Sequence, residues 1–143
     1  MGTTTFSGPI KAGDKREGAT KNTGSVLMAQ SKVIDIIGAT NTTAVGIIPA
    51  NSQIVDVILN VTTVSNDSGT ATVKIGHTGD DDEYLAATNA KAVATTRGTI
   101  GTDGTDIGTS DQTVNAVFTG QNGDGTTGAA TVTVLYIQNN NLS

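Results

Sequence analysis

The chain is expected to be all-β: an antiparallel β-sandwich or jelly roll of about seven or eight strands, entered by an extended N-terminal arm. Three observations carry that expectation. Its 143 residues include 26 threonines and 18 glycines, and threonine favours strands while glycine favours turns. No 12-residue window keeps an apolar period of 3.6. Several segments instead alternate apolar and polar residues with period two, the mark of a half-buried strand.

The organising stretch is Val45–Val61. Pro49-Ala50-Asn51-Ser52 breaks it once, because proline cannot donate to a sheet ladder and asparagine tolerates tight turns. Period two places Val55, Val57, Leu59 and Val61 on a core face. Ile54, Asp56, Ile58 and Asn60 then form a mixed outer face, on which Ile54 and Ile58 are candidates for subunit contact.

Taken in order, Met1–Gly24 is too polar to build a core and reads as the arm, leaving 25–143 as the body. Its apolar anchors are Phe6, Pro9 and Ile10. Val26–Gln30 and Lys32–Ile37 read as two strands, the first a further contact candidate, followed by a polar turn at Ala39–Thr43. Ser65–Gly69 is a turn, and Thr70–Gly76 returns with Ala71, Val73 and Ile75 inward, so Gln53–Gly76 is expected to be a hairpin. Ala86–Ala94 reads equally as a strand or a helical turn. Thr95–Ser110 reads as a long loop with at most one strand. Thr113–Thr119 places Val114, Ala116 and Phe118 inward, Gln121–Gly128 turns, and Ala130–Gln138 closes the body with Val132, Val134 and Tyr136 on one face.

Apolar residues make up 36% of the chain, thin for this length, so neighbouring subunits are expected to contribute stability. With no cysteine, disulfides and thiolate metal sites are excluded. No apolar run approaches the roughly 20 residues of a membrane helix, and no hydrophobic signal region opens the chain.

The net charge of −5 is unevenly spread. Residues 1–32 hold Lys11, Lys15, Arg16, Lys21 and Lys32 against two acids, a net of +3. The other 111 residues hold three cations against eleven acids, a net of −8. A basic arm on an acidic body suits an acidic partner or a neighbouring copy, with Lys11, Lys15 and Arg16 setting register. Nucleic acid is not an expected partner, since the body would repel phosphates.

Chemistry-bearing motifs are weak. Gly13–Gly18 has phosphate-loop spacing, but Ala19 stands where lysine would reach the phosphates. His77 is the single histidine, so a two-histidine metal site is unavailable, and it reads as a loop residue. Asp80-Asp81-Asp82-Glu83 offers oxygen ligands without the spacing of a calcium loop. Asn122–Gly125 and Asp103–Asp106 read as ordinary turns. No credible acid/base pair appears. The expectation is therefore a non-enzyme with no cofactor and no metal.

In its strand-and-turn pattern the chain resembles small virion proteins of tailed bacteriophages. The resemblance lies in Thr5–Gly13, Thr23–Gln30, Ile48–Val57, Ala71–Gly76 with Asp82–Tyr84, and Thr131–Gln138. It implies a capsid cement or decoration protein, a β-sandwich made in the host cytoplasm and seated as a homotrimer on the outer surface of the head. The major capsid protein would be its partner, and no catalytic residues carry over. A tail, fibre or host-attachment component is the rival, in which loops 77–84 and 98–112 would bind a surface glycan with Tyr84 as the available aromatic.

Overall fold

A computed structural model describes residues 27–100 and 106–138. Its eight strands are β1 (Leu27–Asp35), β2 (Thr40–Ile48), β3 (Ser52–Thr63), β4 (Ala71–His77), β5 (Asp80–Asn89), β6 (Ala94–Arg97), β7 (Gln112–Gly120) and β8 (Ala129–Gln138). They form two antiparallel four-stranded sheets, ordered β1-β8-β3-β6 and β2-β7-β4-β5. Consecutive strands mostly alternate between sheets, which is the double-sheet order of a jelly roll. Between the two expected architectures, the strand order selects this one.

The core follows from alternation. Val57, Leu59 and Val61 of β3 meet Val132 and Val134 of β8 from one sheet, and Val73, Ile75, Val114 and Phe118 face them from the other. The inward residues expected on β4, β7 and β8 are all buried. The organising strand differs in one respect. A bulge at Val55 lets Ile54 pair Tyr136 while Asp56 pairs Leu135. One inserted residue inverts the facing of everything before it. Ile54 is therefore 1% exposed and belongs to the core, while Val55 is 46% exposed. The placement of Ile54 on an outer face beside Ile58 is corrected accordingly, and a core side chain is not available to a neighbouring subunit.

Other boundaries also move. Residues 27–35 form one strand rather than two, because Ser31 keeps its place in the ladder opposite Thr133. Of the stretch expected to turn at Ala39–Thr43, all but Ala39 already belongs to β2. The expected β3–β4 hairpin does not form, since β3 pairs β8 and β6 while β4 pairs β7 and β5. Ser65–Gly69 carries the chain between sheets instead. The undecided Ala86–Ala94 divides into the end of β5 and the start of β6.

β4 and β5 do form a hairpin, through Thr78 and Gly79, the latter at φ +108°. Its ladder pairs Ile75 with Leu85 and His77 with Asp80. Four residues, Asp81–Tyr84, thus stand opposite Gly76 alone. A Cβ on Gly76 would lie 2.1 Å from the Asp80 carbonyl oxygen, so only glycine lets this acidic bulge fold against β4.

The two edge strands β1 and β2 lie side by side, and long side chains close the seam between them. Gln30 Nε2 donates to the Ile47 carbonyl at 2.8 Å, and Lys32 Nζ donates to the Ala44 carbonyl at 2.8 Å. Both contacts occupy edge carbonyls that would otherwise invite another strand.

Candidate interaction surfaces

The arm residues Phe6, Pro9, Ile10, Lys11, Lys15 and Arg16 lie outside the described residues, as does Gly13–Gly18. Of the expected contact residues within the body, Ile58 is half-buried on the outer face of the first sheet, opposite Thr133.

Ile58 has apolar company there that the sequence reading did not assemble. Leu27 pairs Ile137 and Ala29 pairs Leu135 across β1 and β8, while Leu135 sits opposite Asp56 on β3. Val134 and Tyr136 point inward, so Leu135 and Ile137 point outward. Leu27 is 56% exposed, and with Ala29, Val55 and Ile58 these side chains make one apolar patch beside the end where residue 26 joins β1. The Arg97–Asp56 ion pair interrupts the patch on β3, where Asp56 stands between Val55 and Ile58 and Arg97 pairs Ile58. The second sheet is more polar, with Thr72 and Lys74 on β4 and Thr113, Asn115 and Thr119 on β7 between the buried positions, and Ile47 and Val117 as separate apolar residues among them. The signal for the patch was Leu135 and Ile137 on the second face of β8; the pairing that adds Leu27 and Ala29 is a tertiary fact.

The acidic bulge is the second surface. Carboxylate oxygens of Asp80, Asp81 and Asp82 lie within 4.8 Å of one another and all three residues are exposed. Lys74 supplies the counter-charge from β4, 3.2 Å from Asp81 and 3.8 Å from Asp82. The hydrogen bond to Asp81 and the charge of both carboxylates raise the Lys74 pKa. Beside them, His77 Nε2 lies 2.5 Å from Glu83 Oε2 and Nδ1 lies 2.8 Å from the Thr78 carbonyl oxygen. Both ring nitrogens lie against oxygen atoms of the same hairpin, so the ring is engaged within the turn. Tyr84 is buried and donates its hydroxyl to Gln112 Oε1 at 2.7 Å. Burial, then the charges of Glu83 and Asp80, push its pKa well above the usual tyrosine range. The expectation of Tyr84 as an exposed aromatic is thereby corrected. Tyr84, Phe118 and Tyr136 are all interior, so no aromatic ring among the described residues is presented for sugar stacking.

The third surface is the opposite end of the sandwich, where loops 64–70 and 120–128 interlock. Asp67, 1% exposed, accepts the N–H of Gly69 at 2.8 Å and of Asn122 at 3.3 Å on Oδ1, and that of Gly123 at 2.8 Å on Oδ2. Asn66 Oδ1 accepts from Thr126 and Thr127, and Asp124 receives both the N–H and the hydroxyl of Ser68. Those Ser68 bonds lower the Asp124 pKa. The arrangement is a rigid polar cap with its hydrogen bonds turned inward.

No protein-family model matches the chain, and no curated protein matches its sequence. Solved structures do share the fold. A chain in the acidic stable capsid structure of Helicobacter pylori bacteriophage KHP30 superposes with a TM-score of 0.63 at 18% identity, over 79% of this chain and 88% of that one. One in the cyanophage Pam1 capsid asymmetric unit gives 0.65 at 15% identity, over 91% and 99%. One in the capsid of Ralstonia phage GP4 gives 0.57 at 17% identity, over 80% and 84%.

Proposed function

We propose that this chain is a structural virion protein of a tailed bacteriophage, a cement or decoration protein on the outer surface of the head. The observation that carries the reading is the match of length as well as fold. The cyanophage capsid chain is covered over 99% of its own length by 91% of this one. That partner in fold is itself a small single jelly roll within a capsid, not a small part of a large shell subunit. The absence of a presented aromatic ring among the described residues favours this reading over glycan attachment.

The role needs no catalysis. A protein that binds only the assembled shell stabilises that state by mass action, by about 2.7 kcal/mol per site at a hundredfold excess over Kd. Summed over many sites, this opposes internal pressure. The partner is the major capsid protein, reached by Phe6, Pro9 and Ile10 as apolar anchors and by Lys11, Lys15 and Arg16 as charges. Ile58 and the patch around it contribute to contacts among copies in a homotrimer.

The test is to mix the full chain, and a chain lacking residues 1–12, with undecorated shells and to pellet them. The full chain is expected to sediment with shells in hundreds of copies per particle, and the truncated chain to stay in the supernatant. Copy numbers of tens or fewer in purified virions would place the protein on the tail and end this reading.

A further inference from the structure

The apolar patch on the first sheet begins at Leu27, the residue to which segment 1–26 is joined. That segment carries its own apolar group, Phe6, Pro9 and Ile10, within five residues. We propose that in the free subunit the patch formed by Leu27, Ala29, Leu135, Ile137, Val55 and Ile58 is covered by residues 6–10 of the same chain. The arm is then parked on its own body and must leave that seat before it can engage anything else.

The connecting residues favour the same chain over a second copy. Residues 11–26 are a connection of sixteen residues, rich in glycine and charge. A linker of that length and composition has an r.m.s. span of about 20–24 Å. The patch extends from β1 across β8 to β3, about 10 Å across the strands and about 13 Å along them at Ile58, so its far edge is roughly 17 Å from Leu27. A linker slightly longer than the distance it must cover holds its end at about millimolar effective concentration. A second copy has to exceed that concentration to displace it. The second sheet carries Ile47 and Val117 on its outer face, each set among threonines and polar groups and on strands that residue 26 does not join, with the Lys74–Asp81 pair beyond them. The consequence is that attachment to a partner is an exchange. The partner competes with the chain's own body for Phe6 and Ile10, and self-association through the patch is suppressed until the arm departs.

This inference does not depend on the capsid reading, and it is tested on the isolated full-length chain. The sequence has no cysteine, so a single engineered pair reports unambiguously. Ile10→Cys with Leu135→Cys is compared with Ile10→Cys with Thr72→Cys, which places the second thiol on the outer face of the other sheet. Under mild oxidation the first pair is expected to close within one chain at least about tenfold faster than the control, independently of protein concentration. Non-reducing electrophoresis and peptide mapping read the product. Ile10→Cys with Ala29→Cys repeats the measurement should Leu135→Cys impair folding. Equal rates for test and control pairs would overturn the proposal. So would a product that is dimeric and rises with concentration, which would assign the patch to a second copy.

Discussion

Asp67 Oδ2 accepts the backbone N–H of Gly123 at 2.8 Å, joining residues 56 apart in sequence at a site closed to water. With the Gly69 and Asn122 amides on Oδ1, this carboxylate is shared between the loop leaving β3 and the loop leaving β7. One buried side chain thereby ties both loops together, beside the outer bonds of Asn66 and Asp124. Gly120 belongs to the same unit, since a Cβ there would lie 2.7 Å from Asp67 Oδ2.

Removing the Asp67 carboxylate leaves three backbone donors without their acceptor in a confined space. Each unsatisfied buried group costs about 1–3 kcal/mol, partly recovered if water enters. Asp67→Ala is therefore expected to lower stability by roughly 2–4 kcal/mol, with Asp67→Asn retaining part of it. Chemical denaturation of both variants checks this. A loss below about 0.5 kcal/mol, the range of an ordinary surface change, would show that the loops hold without it.

Gly76 gives a second test, because it faces backbone rather than a movable side chain. Gly76→Ala places a methyl 2.1 Å from the Asp80 carbonyl oxygen. The acidic bulge must then lift away from β4, at a cost of about 1–3 kcal/mol. Amide exchange is expected to accelerate over Asp80–Leu85 and to stay unchanged in β1 and β8. Unaltered exchange across the hairpin would mean that the bulge does not rest on Gly76.

Tyr84 predicts an alkaline limit. Its folded pKa is raised, chiefly by burial, so the neutral phenol is favoured in the fold. The associated stability is complete below the unfolded value of about 10 and drains away as pH rises beyond it. The wild-type melting temperature is therefore expected to fall between about pH 10 and the onset of unfolding more steeply than that of Tyr84→Phe. The phenylalanine variant loses the bond to Gln112 and starts lower at neutral pH. Parallel curves for the two proteins would show that Tyr84 ionises without resistance.

Much of the body was legible because threonine-rich alternation is a local signal. Val73 and Ile75, Val114 and Phe118, and Val132 and Val134 each declare an inward face within their own strand. Misplaced features share one cause, a dependence on pairing between distant segments. Whether β3 turns back onto β4 or crosses to the other sheet is set by which partner buries Val57 and Leu59, and that partner is β8, more than seventy residues away. The bulge at Val55 is likewise invisible in a run of aliphatic residues that could be read in either phase. Asp67 looked like turn chemistry in Asn66-Asp67-Ser68-Gly69, and its second loop could not be seen from there. The apolar patch needed the β1–β8 register, because Leu27 and Ile137 lie at opposite ends of the chain.

The two isoleucines of β3 that seemed alike in sequence provide the last test. Ile54 is packed against the core on the inner side of the bulge, and Ile58 is half-buried on the outer face. Ile54→Ala leaves a cavity and is expected to cost about 2–5 kcal/mol, as large-to-small core changes do. Ile58→Thr keeps a β-branched residue on the strand and is expected to change folding stability by less than about 1 kcal/mol. Its effect belongs on association. If Ile58 contributes about 1.4 kcal/mol to contact between copies, the substitution weakens that contact roughly tenfold. Sedimentation of the chain lacking residues 1–12, with and without Ile58→Thr, measures this where the arm cannot cover the patch. Comparable losses of folding stability for the two variants would mean that β3 is read in the wrong phase at its bulge. Unchanged association in the truncated chain would remove Ile58 from the subunit contact and leave the arm as the attachment element.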